Sequence, residues 1–109
     1  MAELTLQQIF GANATQTATE LVIKKSDLQT VGLTVAADNR GEQLFVAIFA
    51  KAKQVLNKTA QETNPDLQIT IETGYTAIVF RNDQEYKQVN FTVGLEKLET
   101  ASGIDPDDY

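Results

Sequence analysis

The longest periodic stretch of the chain runs from about Arg40 to Ala60. Leu44, Ile48, Val55 and Leu56 recur at helical spacing there, and Phe45, Phe49 and Ala52 widen the stripe. Such a broad apolar face predicts a long amphipathic helix buried against a sheet. Asp38 or Asn39 is placed to cap it, and Asn39 with Glu42 has the reciprocal capping spacing. Lys51, Lys53 and Lys58 fall in its second half, where cations suit the negative end of the helix dipole.

After the break Asn64-Pro65-Asp66 the period changes to two. Leu67, Ile69 and Ile71 alternate with Gln68, Thr70 and Glu72, the signature of a half-buried strand. Gly74 reads as a turn. Thr76 to Phe80 reads as a central strand, and Asn82 to Glu85 as the next tight connection. Tyr86 to Leu95 then alternates again, with Val89, Phe91, Val93 and Leu95 expected inward. Gly94, inside that strand, suggests a bulge or a close backbone approach. Three strands over about 67–95 thus form an antiparallel meander.

The N-terminal part is punctuated more finely. Short helical turns are expected at 5–11 and 26–31, each ended by a glycine. Thr5 with Gln8, and Ser26 with Gln29, have the capping spacing. Thr19 to Lys25 reads as a strand that joins the meander as a fourth. The expected fold class is therefore α+β. An antiparallel sheet of three to four strands carries one long amphipathic helix on one face. Residues 1–95 form one domain, and 96–109 form an extended acidic C-terminal tail.

Charge and composition narrow the function more than they define it. The 109 residues carry a net charge of -6, of which the tail supplies five acids and one lysine. A negative field repels phosphate backbones and anionic membranes, so neither nucleic acid nor membrane is an expected partner. No apolar run is long enough to span a bilayer. The chain has no His and no Cys, which removes imidazole and thiol chemistry and the metal sites built on them. Ser26 and Ser102 are the only serines, and neither sits in a nucleophile elbow. No catalytic residue and no cofactor are expected.

The remaining candidates are weak as chemistry. Asp105, Asp107 and Asp108 are close enough in sequence for loose calcium association, but lack a shaped loop. Arg40 or Arg81 is a possible anion ligand, and Glu72 or Glu85 a possible base, if helix and sheet enclose a cavity. That combination defines a ligand-binding domain or carboxylate-based enzyme as the alternative. The favoured expectation is a soluble, cytoplasmic, non-enzymatic structural or adaptor protein. It acts through protein–protein contacts with a partner or with itself, as a homo-oligomer. Phe45 and Phe49 on the helix, Tyr86 at a strand start and Tyr109 at the last position are the expected interaction residues.

Overall fold

The computed structural model describes residues 3–97 and 103–109. Ser102 and the first part of the acidic tail, 98–101, lie outside the described residues. The contacts of the chain divide it into two units, Met1–Leu56 and Asn57–Tyr109. Among the described residues no helix is long and apolar enough to cross a membrane.

The first unit opens with helix α1, Leu6–Phe10. Its N-terminus is closed reciprocally. The Thr5 hydroxyl accepts from the Gln8 amide at 3.2 Å, and the Gln8 side chain accepts from the Thr5 amide at 2.7 Å. Gly11 ends it with φ 121 and ψ 151, a conformation open only to glycine. The chain then forms a two-residue ladder, β1 (Thr15–Gln16) against β2 (Leu21–Val22). Next comes a 3-10 helix, Lys25–Val31, stopped by Gly32 in the left-handed region. Ser26 does not cap it. The cap position falls on Lys24 with no side-chain bond. Asp27 instead fastens the preceding loop, its two carboxylate oxygens accepting from the Asn13 amide and side chain, each at 2.9 Å.

Helix α2 spans Gly41–Lys53. The cap position falls on Arg40, one residue beyond the expected Asn39. Asn39 is engaged before the helix, bridging the Ala36 amide and the Thr34 carbonyl. Gln43 accepts from the Arg40 amide at 3.3 Å. Ala47, with Leu44 and Ile48 beside it, faces Leu28 and Leu33, and Ile23 and Val31 complete this small core. The single helix expected from Arg40 to Ala60 is interrupted at residues 54–57. Asn57 adopts an extended conformation and its side chain accepts from the Ala60 amide at 2.8 Å. Asparagine competes for the backbone in this way and starts a new helix, α3, Lys58–Thr63.

The second unit holds the main departure from expectation. The predicted sheet of three to four strands does not form. The described residues make two separate two-stranded antiparallel sheets, β1–β2 and a long hairpin of β3 (Ile69–Arg81) with β4 (Gln84–Leu95). Leu21–Val22 pairs with Thr15–Gln16 and joins no meander. Gly74 makes no turn. It sits in a bulge, where the ladder slips between Thr73 and Thr76 and two residues oppose Asn90. A Cβ at position 74 would lie 2.9 Å from the Asn90 carbonyl oxygen, so only glycine lets the strands approach there. The Asn90 side chain donates to the Tyr75 carbonyl at 3.2 Å and holds the bulge.

The hairpin turns at Asn82 and Asp83, with φ 51 and 60. Two positive φ angles in a two-residue loop define the turn whose twist matches the strands. Asparagine tolerates this region better than aspartate, and glycine best. Asp83→Gly is therefore expected to stabilise the hairpin by roughly 0.5–1 kcal/mol, read as a rise in the urea midpoint. An unchanged or lower midpoint contradicts that account of the turn. At the other end the described tail folds back on its own unit. Gln68 donates to the Asp108 carbonyl at 2.9 Å, and Lys97 pairs with the Asp108 carboxylate at 3.2 Å.

Candidate protein-contact surface

Within neither unit do the residues singled out for chemistry gather into one site. Arg40 and Glu42 lie in the first unit, where with Val31, Leu33, Val46 and Ala47 they line an open depression of about 430 Å³. In the second unit, the Glu72 carboxylate accepts from the Lys58 amide at 2.9 Å, at the start of α3. Arg81 lies over the Tyr86 ring at 4.3 Å, a cation–π contact on the hairpin. Glu85 is exposed near the turn. Glu72 and Arg81 are nine positions apart on β3, about 30 Å along the strand. Among the described residues no three acidic groups gather to hold a metal ion. Asp105 caps a short 3-10 turn, Pro106–Asp108, by accepting from the Asp107 amide, and Asp108 is engaged by Lys97.

Of the four expected interaction residues, two lie in the first unit and two in the second. Phe45 is 69% exposed and stacks at 6.4 Å on half-buried Phe49, one turn along α2. Tyr86 is half-buried under Arg81 and its hydroxyl donates to Gln84. Tyr109 is half-buried behind the last 3-10 turn, its amide donating to the Pro106 carbonyl.

A larger surface lies on the hairpin. The register pairs Phe80 with Glu85, Ile78 with Lys87, Thr76 with Val89, Thr73 with Phe91, Ile71 with Val93 and Ile69 with Leu95. Paired residues share a face, so these twelve line one side of the ribbon. The bulge is what makes the side continuous. On β3 the apolar residues of this side stand at odd positions up to Ile71 and at even positions from Ile78. One extra residue at Gly74–Tyr75 absorbs that phase change. Without it Ile78 and Phe80 would point away from Ile69 and Ile71.

On this face Ile71 is buried and Ile69 half-buried, and six other large apolar side chains are partly exposed. Phe80 is 72% exposed, Ile78 58%, Val93 48%, Val89 45%, Phe91 41% and Leu95 40%. Val89, Phe91, Val93 and Leu95, expected inward beneath a helix, share a face as the alternation requires, and each keeps 40–48% of its surface exposed. The opposite side is more polar. It carries Glu72, Arg81, Gln84, Gln88 and Thr92 beside half-buried Ala77, Val79 and Tyr86. In the first unit a smaller exposed pair, Phe45 and Val46, stands on α2.

Ile78 and Phe80 were not legible in the sequence as surface residues. The signal was the phase change at Gly74, which marks a bulge in a continuing strand as well as it marks a turn. In comparisons with protein-family models, with curated proteins and with solved structures, nothing matches this chain.

Proposed function

We propose that this chain is a small non-enzymatic structural or adaptor protein that works through protein–protein contacts and associates with itself. A cytoplasmic location belongs to the same reading. The observation that carries it is the single apolar face of the β3–β4 hairpin, with six large side chains 40–72% exposed. Exposed apolar surface concentrated on one element, with a more polar reverse side, is characteristic of an interaction site. The ribbon supplies a second motive. A two-stranded hairpin is marginal by itself, and among the described residues no third strand pairs with either long edge of this one.

A photo-crosslinking side chain tests this reading. Placed at Ile78 in cells that make the protein, it is expected to give covalent protein adducts, to a second copy or to another protein. The same group at Asp38, in an exposed loop of the first unit, is the reference. Adducts at position 78 no more abundant than at position 38 overturn the proposal.

A further inference from the structure

The depression in the first unit is framed by small side chains. One wall is α2, from Gln43 through Val46 and Ala47 to Ala50, and the other is the end of the 3-10 helix with Gly32 and Leu33. Leu33 and Ala47 are buried, and Val31 and Ala50 half-buried. A Cβ added at Gly32 would meet nothing within 4 Å, so space is open on that wall as well. The volume of about 430 Å³ falls in the range of small-molecule sites, about 300–1,000 Å³.

Polar and apolar groups are segregated along this trough. Arg40, Glu42 and Gln43 stand at the first turn of α2, and Val46, Ala47 and Ala50 on the turns that follow. Gln43 and Ala47 are about 6 Å apart along the helix axis, the reach of one branched aliphatic or aromatic side chain.

The polar end offers two kinds of group. The Gln43 Oε1 accepts from the Asn39 side chain at 3.2 Å and from the Arg40 amide at 3.3 Å. The carboxamide oxygen is thus occupied, and Nε2 remains as a donor. The Arg40 guanidinium adds further donors, and the Glu42 carboxylate is an acceptor of opposite charge. Among the described residues neither Arg40 nor Glu42 has an ion-pair partner. Two opposite charges that leave each other unpaired beside an apolar trough match a ligand that carries both charges. An apolar anion alone would be opposed by Glu42, and an apolar cation alone by Arg40.

We propose that this depression binds a free α-amino acid with an aliphatic or aromatic side chain. Its carboxylate accepts from Arg40 and Gln43, its ammonium donates to Glu42, and its side chain lies against Val31, Val46, Ala47 and Ala50. The site is independent of the hairpin and goes beyond the contact reading above.

Both charged side chains are exposed, so solvent screens them and the affinity for L-leucine is modest, with an expected Kd of about 1 mM. Titration of the full chain with L-leucine, followed by the NMR shifts of its amides, is expected to saturate, with the shifts concentrated at residues 31–33 and 40–50. N-acetylleucine and leucinamide each lack one of the two charges and are expected to bind at least about fivefold more weakly. Arg40→Gln and Glu42→Gln are each expected to weaken L-leucine by a similar factor. Ala50→Leu fills the trough and is expected to abolish the saturable shifts. Glu20→Gln, an exposed change outside the depression, is expected to bind as the wild type does. Circular dichroism identifies any variant that fails to fold, and the ligand series on the wild type stands without them. No saturation by about 20 mM L-leucine overturns the proposal. So do shifts centred on other residues, equal binding of the three ligands, or binding that survives Ala50→Leu or both charge removals. Loss of binding in Glu20→Gln also overturns it.

Discussion

Leu28→Ala is expected to lower the unfolding free energy by about 2–5 kcal/mol. Leu28 is 2% exposed and centres the core of the first unit, against Leu33 and Ala47, with Ile23, Val31, Leu44 and Ile48 around it. It projects from a 3-10 helix held between a glycine stop and the Asp27 fastening, so its neighbours have little freedom to close a cavity. Small domains are stable by only about 0.05–0.15 kcal/mol per residue, so a unit ending at Leu56 has few kcal/mol to lose. Urea titration followed by circular dichroism reads the loss as a lower midpoint. Leu21→Ala is the comparison. Leu21 is 54% exposed, and its removal should change stability by less than about 0.5 kcal/mol. Equal losses for the two leucines would remove Leu28 from the centre of the core.

Gly11→Ala is expected to cost about 3 kcal/mol or more, from two causes. The backbone at φ 121 and ψ 151 is strained for any residue with a Cβ, by about 1–3 kcal/mol. The added Cβ would also meet the Asp27 Cβ well inside van der Waals contact. That clash forces the Asp27 side chain away, and with it the two bonds that hold Asn13. Gly32→Ala is the comparison. Gly32 lies in the left-handed region, a milder strain than that at Gly11, and a methyl group there would have nothing within 4 Å. The excess of Gly11→Ala over Gly32→Ala, measured by the same titration, reports the clash together with the harsher backbone strain at Gly11. No excess would overturn both.

Local signals in the sequence were legible where one residue decides the outcome through near neighbours. Thr5 and Gln8 close a reciprocal cap because the two groups are one turn apart. Asn82 and Asp83 make the hairpin turn because both tolerate positive φ. Gly94 has a close approach of the kind its place in a strand suggests, since a Cβ there would meet the Thr70 hydroxyl at 2.9 Å. Local signals failed where two outcomes share one. Gly74 fits a turn or a bulge, and the partner strand decided for the bulge. Asn57 fits a wet helix position or a cap, and the hydrogen bond to Ala60 decided for the cap. The scattered candidates Arg40, Glu72, Arg81 and Glu85 needed a cavity to unite them, and no sequence pattern could state whether they would meet.

The amino-acid sequence by itself determined which side chains share a face along β4 and along β3 before Gly74. Strand geometry alternates every two residues, and the composition of each arm makes one side apolar and the other more polar. Only the tertiary structure decided that the arms form a ribbon of two strands, that a bulge joins the apolar positions into one face, and that most of this face is open. The physical reason is the range of the interactions. Alternation and capping act over about two to four residues, whereas strand number and coverage depend on which distant segments pair. In this chain Leu21–Val22 pairs with Thr15–Gln16, and the apolar face of the long hairpin is left partly exposed.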